Sequence, residues 1–319
     1  MKSTPSAYAL GATLYMPATR TDIADIIIHN KISGLRSLVI CLEDAVSEDD
    51  VPLAISQLST LLGTLAVEKK RDGSAHWPLI FVRPRHEAMG LALITRFNLS
   101  AINGFVLPKF TQASITTWWE IMKETHLCMM PTLETEDVFD VAKMSTLARE
   151  LENHPSRQRI VALRIGGNDL MSVISMRRSR KLTLYDGPMG YVIKMLVSVF
   201  CPKNFALTAP VCEQIDNPQL LETELALDIA HGLVGKTAIH PSQIEVIQRA
   251  LMVDTHDHAD ALRILNSTQA VFKSQGAMCE PSTHKRWAAA ILERAQYYGI
   301  MPDFTAMAVR DAPRKHQSG

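Results

Sequence analysis

The sequence predicts a (β/α)8 TIM barrel, an α/β fold, with a small helical appendage at its C-terminal end. Short apolar runs recur along the chain, each ends in polar or charged residues, and a helical stretch follows most of them. We count about eight runs at a spacing of roughly thirty residues, which is the number and spacing of βα units that closes a barrel. The alternative, an open doubly wound sheet, normally carries a Gly-rich phosphate loop, and neither GxGxxG nor GxxxxGK[ST] occurs.

The predicted strands are almost continuously apolar, as in parallel strands that are buried on both faces. They lie at residues 12–16, 37–42, 78–82, 104–107, 127–133, 160–165, 205–209 and 234–239.

Helices are predicted between these strands. A capped helix over 21–31 begins near Thr21 or Asp22, and a long helix over 51–69 carries Leu and Ile at intervals of three and four residues. Others are expected over 114–125, 136–151, 217–231 and 242–251. Beyond residue 252 the alternation stops, and 257–272 and 285–299 are predicted to be two helices. We therefore expect a barrel domain over 1–251 and a helical extension over 252–319 whose polar tail, 310–319, is disordered.

Composition excludes several classes of function. The 319 residues contain 33 Lys and Arg against 33 Asp and Glu, so no overall basic field attracts nucleic acid or an anionic membrane. The five cysteines form no CxxC pair, which argues against a disulfide framework or a zinc knuckle. Neither a secretory signal nor an apolar run longer than a strand is evident, so we expect a cytoplasmic protein without a membrane span.

Charged residues stand where the predicted strands end, which is where barrel enzymes place their chemistry. The ends of runs two to six carry Glu43 and Asp44, then Arg83, Lys109, Glu134, and Gly166-Gly167-Asn168-Asp169. Because these ends converge on one rim, the set predicts an active site.

Glu134 and Asp169 are the predicted metal ligands. They end adjacent strands, and two nearby carboxylates repel each other unless a cation lies between them. A hard cation such as Mg²⁺, or Mn²⁺ in its place, is held by oxygen ligands. The alternative is that both are solvated loop acids.

Arg83 is the predicted anion-binding residue, because its guanidinium matches a carboxylate with two parallel hydrogen bonds. A structural ion pair with Glu43 or Asp44 is the alternative, and both roles are compatible. Arg20 has the same candidate role, or it lies on a solvated helix start. Glu43 and Asp44 are consecutive, so only one faces the barrel mouth unless the chain has already turned. A carboxylate there would orient metal-bound water or relay a proton.

Lys109 offers a metal-free alternative, because a lysine at a strand end can form a Schiff base with a 2-oxo acid. Nearby carboxylates would instead keep it protonated, and we favour a charged Lys109 paired with acids. The amides of Gly166 and Gly167 are candidates to bind a carboxylate, although a plain turn also explains them. His240, before Pro241 at a helix start, either contacts an anion or packs structurally.

These strand ends resemble the citrate lyase β-subunit and malyl-CoA lyase family, which includes metal-dependent 2-oxo-acid aldolases. The resemblance covers roughly residues 14–245. It lies in the short segments LYMPA (14–18), LEDAV (42–46), VR (82–83), LPK (107–109), LET (133–135), GGNDL (166–170) and AIHPSQ (238–243). The chain departs from the family pattern at Cys41, at the strand-seven ending 208–210, and at 84–86 after Arg83.

The resemblance implies Mg²⁺ at Glu134 and Asp169, substrate contact at Arg83, and support of metal-bound waters by Glu43 and Asp44. It also implies a homo-oligomer, typically a trimer, and a 2-oxo acid or acyl-CoA substrate. We therefore expect a carbon–carbon lyase, in which Mg²⁺ and Arg83 stabilise the charge of an enolate and a group near Asp44 takes the hydroxyl proton. The alternatives are a Lys109 Schiff-base aldolase, a malyl-type thioester hydrolase, and a non-catalytic metabolite-binding subunit.

Overall fold

The computed structural model of the chain, which describes residues 4–72 and 76–302, contains an eight-stranded parallel barrel. The strands follow one another around it, in the order β7-β6-β5-β4-β3-β2-β1-β8. A parallel bridge between Ala209, directly after β7, and Lys236 of β8 joins the two outer strands. The strands are β1 Ala12–Pro17, β2 Ser37–Cys41, β3 Leu79–Arg83, β4 Gly104–Leu107, β5 Cys128–Leu133, β6 Leu163–Ile165, β7 Leu207–Thr208 and β8 Lys236–Ala238. The predicted TIM-barrel fold is confirmed.

Helices surround these strands, as expected for βα units. They are α1 Ile23–Ile28, α2 Val51–Arg71, α3 Glu87–Arg96, α4 Ile115–Met122, α5 Val141–Asn153, α6 Gly167–Val173, α7 Pro188–Phe200, α8 Pro218–Ala230 and α9 Ser242–Ala250. No helix was predicted at the positions of α3, α6 or α7. Helix α7 buries Met189, Ile193, Leu196 and Phe200 at helical spacing, so the sequence did contain its pattern, while α6 starts at a glycine pair that also suits a turn.

One helix of the described residues, α2, is long and apolar enough to cross a membrane by length and composition alone. This is weak evidence for a membrane segment, because the core helices of globular proteins pass the same test. Ala54, Leu58, Leu61, Leu62 and Leu65 of this helix are buried in the barrel unit.

The barrel interior changes from apolar to polar along the strands. Val39, Phe81 and Met130 belong to one buried apolar cluster. Two residues further along the same strands, where side chains again point inward, stand Cys41, Arg83 and Thr132, which line a cavity. The apolar layer thus forms the base beneath a polar site at the carboxyl ends of the strands.

The chain divides into two compact units, Met1–Ala250 and Leu251–Gly319. In the second, helices α10 (Thr255–Asn266) and α11 (Pro281–Tyr298) flank a hairpin of β9 (Phe272–Ser274) and β10 (Ala277–Cys279). The prediction of two helices alone was therefore incomplete. The expected helix over 257–272 ends at Asn266, and Gln275-Gly276 form a turn with positive φ at both residues, the combination that suits a tight hairpin. The predicted disordered tail lies outside the described residues.

Candidate functional site

A cavity of about 270 Å³ opens at the carboxyl ends of the barrel strands. Its walls come from seven of the eight strands or the residues just after them. Polar and charged side chains in these walls include Tyr15, Asp44, Arg83, Thr132, Glu134, Arg164, Asp169 and Thr237. The volume lies just below the roughly 300–1,000 Å³ of pockets for drug-sized ligands, so it suits a small organic acid.

Arg83 is the centre of an ion-pair network in this cavity. The residue is only 7% exposed, and its Nη2 atom lies 2.7 Å from Glu43 Oε2 and 2.9 Å from Glu134 Oε1. Its Nη1 atom donates to Asp44 Oδ2 at 3.1 Å. Burial alone would lower the pKa of Arg83, but the neighbouring carboxylates, Glu134 foremost, raise it. The guanidinium is therefore permanently charged, and the structural ion pairs considered from the sequence are present.

Both acids of the Glu43-Asp44 pair face Arg83, because the chain turns directly after β2. The amide of Val46 donates to the carbonyl of Glu43 at 2.8 Å, which closes this turn. Burial raises the pKa of Glu43. Burial also acts to raise the pKa of Asp44, but its hydrogen bond with Glu43 and the charge of Arg83 outweigh that effect and lower it.

Arg85, which the sequence analysis did not single out, holds this turn in place. Its Nη1 atom donates to the carbonyl oxygens of Leu42 at 3.1 Å and Val46 at 3.0 Å. The sequence contained one signal for the role of Arg85. The residue follows Arg83 by two positions and lies in the segment 84–86, which departs from the family pattern.

Lys109 joins the same network through both its side chain and its backbone. Its Nζ atom donates to Glu43 Oε1 at 2.9 Å, and this hydrogen bond raises the pKa of Lys109. Its backbone adopts a left-handed conformation with φ +46°, and the amide donates to Glu134 Oε1 at 2.7 Å. Such a conformation costs a non-glycine residue energy and is often found where function requires it. The raised pKa opposes the neutral amine that a Schiff base needs.

Glu134 and Asp169 both line the cavity. Glu134 is 3% exposed, and burial raises its pKa to about 7 although the charge of Arg83 opposes the shift. The negative charge of Asp169 adds to the rise. Burial and the charge of Asp44 also raise the pKa of Asp169, which forms no ion pair within residues 4–72 and 76–302. The two acids are thus close enough to influence each other, and a cation would relieve this repulsion.

Two glycines make room for this arrangement. A Cβ atom on Gly166 would lie 2.4 Å from Glu134 Oε2, so any side chain there would displace the carboxylate. A Cβ atom on Gly167 would lie 2.8 Å from Pro210 Cβ. Both glycines line the cavity, and Gly167 is the first residue of α6 rather than part of a plain turn.

The donor set suits a hard divalent cation. Within the described residues, no group of three or more His, Cys, Asp or Glu side chains is arranged to hold a metal ion. Mg²⁺ needs only one or two carboxylates, since water and substrate complete its shell. Arg83 Nη2 contacts both oxygens of Glu134, so a cation would share this carboxylate with the guanidinium. Glu134 and Asp169 are therefore compatible with Mg²⁺.

Two predicted substrate contacts do not reach the cavity. Arg20 is bound by Asp22 at 2.6 Å on an exposed part of the chain, because the two side chains stand together at the start of α1. His240 is exposed and interacts with Ser242 Oγ, so the ring serves the start of α9, and neighbouring Ile239 lines the cavity instead. The cavity walls also contain three residues that were not predicted from the sequence, Arg164, Tyr15 and Thr237. Arg164 lies inside the apolar run 160–165, one residue before its end, so no strand-end pattern marks it.

Fold and cavity together define a TIM-barrel protein with clustered acidic and basic side chains in a cavity at the carboxyl ends of its strands. The chain belongs to the C–C bond lyase family of the TIM-barrel fold, whose pattern matches residues 4–300. The resemblance of its strand-end motifs to the citrate lyase β-subunit group is confirmed.

Individual relatives are distant. The (3S)-malyl-CoA thioesterase of Cereibacter sphaeroides is 23% identical over 243 residues, 75% of this chain and 76% of that protein. The structure of CitE from Mycobacterium tuberculosis with magnesium, acetoacetate and coenzyme A superposes with TM-score 0.65 at 22% identity, covering 91% of this chain and 99% of that one. A citrate lyase from Burkholderia xenovorans LB400 reaches TM-score 0.70 at 16% identity, covering 93% and 95%.

Proposed function

We propose that the protein is a Mg²⁺-dependent carbon–carbon lyase that cleaves a substrate derived from a 2-oxo acid, as the free acid or as its acyl-CoA conjugate. The observation that carries this proposal is the meeting of Glu134, Asp169 and Arg83 in one cavity of small-molecule size. The carboxylate oxygens can hold a hard cation, and the fixed guanidinium supplies a second positive charge. Both would stabilise the negative charge of an enolate.

Glu134 and Asp169 would hold the ion, and Mn²⁺ is the alternative to Mg²⁺. When bound, such an ion supplies Lewis-acid stabilisation of the negative charge that develops on a carbonyl oxygen. The CitE relative was crystallised with magnesium and acetoacetate, which supports magnesium as the ion of this chain.

The chain's own residues supply orientation and charge. Arg83 is fixed by three carboxylates, and its buried Nε atom has no acceptor within the described residues. This donor makes Arg83 the residue that binds the substrate carboxylate. Lys109 neutralises the neighbouring Glu43. Asp44 is half-exposed at the cavity mouth, and its carboxylate is the group that would accept the proton of the substrate hydroxyl.

The test is a panel assay for released pyruvate, glyoxylate, oxaloacetate or acetyl-CoA with Mg²⁺ present. Glu134→Gln and Asp169→Asn should each lower turnover by roughly 100-fold or more, because each removes a charge that holds the cation. Glu136→Gln is the matched control, since Glu136 is an exposed acid two residues after Glu134. Binding of Mn²⁺, measured by electron paramagnetic resonance, should weaken in the first two variants only. A panel that stays blank with both Mg²⁺ and Mn²⁺ would refute the lyase and favour a metabolite-binding subunit.

A second candidate is hydrolysis of a malyl-type thioester at the same site. It is favoured by the similarity to the (3S)-malyl-CoA thioesterase. Given malyl-CoA, a hydrolase releases malate and a free thiol, whereas a lyase releases glyoxylate and acetyl-CoA. Product analysis therefore separates the two. The homotrimer and the cytoplasmic location expected from the sequence stay predictions.

A further inference from the structure

An arginine that the proposed chemistry does not use lies in the wall of the same cavity. Arg164 of β6 is 2% exposed, and its Nη2 atom donates to Thr237 Oγ1 of β8. Its guanidinium lies 5.2 Å from the centre of the Tyr15 ring. The buried Nη1 atom has no hydrogen-bond acceptor within the part of the chain that the structure describes.

Other buried cations of the barrel unit have carboxylate partners, except Arg159, whose two Nη atoms donate to backbone carbonyls. Arg83 contacts three carboxylates, while Arg178 and Lys236 share Glu224. Arg164 forms no ion pair among residues 4–72 and 76–302, and its contacts with Thr237 and Tyr15 are with uncharged groups. A buried charge without a counter-charge is costly. Because the Nη1 atom of Arg164 also lacks a carbonyl acceptor such as those of Arg159, an anion from outside the chain is expected to partner it.

A second unpartnered donor lies beside it. Thr132 of β5 is the register partner of Arg164, so the two side chains point to the same side of the sheet. Thr132 is 4% exposed, lines the cavity, and its Oγ1 atom also has no partner among the described residues. Neighbouring strands thus present two free donors to one space.

We propose that Arg164 and Thr132, with Thr237 orienting the guanidinium, form a subsite for a second carboxylate of the substrate. This inference rests on the proposed function, in which Arg83 binds the first carboxylate of the substrate and a cation at Glu134 and Asp169 would stabilise the reacting carbonyl. A guanidinium and a hydroxyl on adjacent strands match the two oxygens of a carboxylate. The preferred substrate fragment is then a short 2-oxo diacid rather than a monoacid.

The test uses acids of equal chain length that differ only at the far end, where a carboxylate replaces a methyl group. The pairs are 2-oxoglutarate with 2-oxovalerate, and oxaloacetate with 2-oxobutyrate. Affinities are measured by titration calorimetry with Mg²⁺ present. Wild-type protein should prefer the diacid by roughly 10- to 100-fold, the usual effect of hydrogen bonds to a charged group. Arg164→Met should abolish the preference and change monoacid affinity by less than about threefold.

Further variants separate this role from a structural one. Thr132→Val should weaken the preference by a smaller factor, and Arg164→Lys should restore part of it. Arg159→Met is the control, because Arg159 is a buried arginine that donates to the carbonyls of Met122 and Lys123 and does not line the cavity. It should leave the preference unchanged.

Binding and turnover distinguish failure of this inference from failure of the proposed function. A wild-type protein that binds both members of each pair equally overturns the inference, whether or not Arg164→Met folds. A preference that persists in Arg164→Met overturns it as well, even if the lyase assay succeeds. A preference lost in Arg164→Met without any turnover in the panel supports the subsite while the lyase proposal fails.

Discussion

Lys236 joins β8 to helix α8 through a buried ionic contact beside the closure of the barrel. Its Nζ atom, on a side chain that is 1% exposed, donates to Glu224 Oε1 and Asp228 Oδ2, both at 2.8 Å. The two acids keep the pKa of Lys236 above its ordinary value although burial acts to lower it. We expect Lys236→Met, which preserves most of the volume but removes the charge, to destabilise the barrel strongly.

The size of the loss in unfolding free energy depends on which partners Glu224 and Asp228 keep in the variant. Removing one member of a buried ion pair costs about 3–5 kcal/mol. Among the described residues, Glu224 keeps the guanidinium of Arg178, whereas Asp228 keeps only the hydroxyl of Tyr185 at 2.7 Å. One uncompensated anion therefore remains, and we expect a loss near the lower limit, about 3 kcal/mol.

The loss should also depend on pH. Burial already raises the pKa of Asp228, and removal of Lys236 should raise it further. An acid with a raised folded pKa binds its proton more tightly in the folded state, so the variant loses stability as the pH rises through that pKa. The difference from wild type should thus be smaller at about pH 5 than at about pH 8.

The assay is urea unfolding followed by circular dichroism at both pH values. Adding Asp228→Asn to Lys236→Met should recover more than half of the loss, because it removes the unpaired anion. Lys194→Met, at an exposed lysine on α7, should change stability by less than about 0.5 kcal/mol. A loss below about 1 kcal/mol for Lys236→Met, or no recovery in the double variant, would refute this reasoning.

Three further predictions concern the cavity. Burial raises the pKa of Glu134 to about 7 from 4.5, so between these pH values the folded state holds a proton that the unfolded chain releases. Metal-free stability should therefore fall from about pH 4.5 to about pH 7. The loss of unfolding free energy is at most about 3 kcal/mol. In urea unfolding, the stability of Glu134→Gln should not show this dependence on pH. The same dependence in the variant would assign it to another group. Lys109 should form no adduct detectable by mass spectrometry after borohydride treatment with pyruvate, since its hydrogen bond to Glu43 raises its pKa; a reduced adduct would revive the Schiff-base route. Gly166→Ala should lower turnover about tenfold or more, because the added Cβ atom would lie 2.4 Å from Glu134 Oε2. Gly63→Ala is the control and should not lower turnover, since no atom lies within 4 Å of its added carbon. Equal activity of the two variants would show that the position of Glu134 is unimportant.

Several features of the site were open to prediction from the sequence because they depend on periodicity. Apolar runs at a regular spacing determine parallel strands with helices between them, and the residue after each run must then lie at one rim. Glu43, Arg83, Lys109 and Glu134 are all at such positions and do meet in the structure. Arg20 and His240 stand equally close to strand ends but belong to helix starts, a difference that the one-dimensional pattern does not contain.

What the sequence by itself determined is the fold class, the order of strands and the acidic and basic character of the rim. Only the tertiary structure decided which charges pair, since the contact of Arg83 with Glu134 joins residues 51 positions apart, and the turn after β2 brings both Glu43 and Asp44 to face Arg83. It also revealed Arg164, Thr132 and Lys236, because their positions within strands look like ordinary core until neighbouring strands are set in register. The physical reason is that hydrophobic burial is encoded locally along the chain, whereas the partner of a buried charge is determined by distances across the barrel.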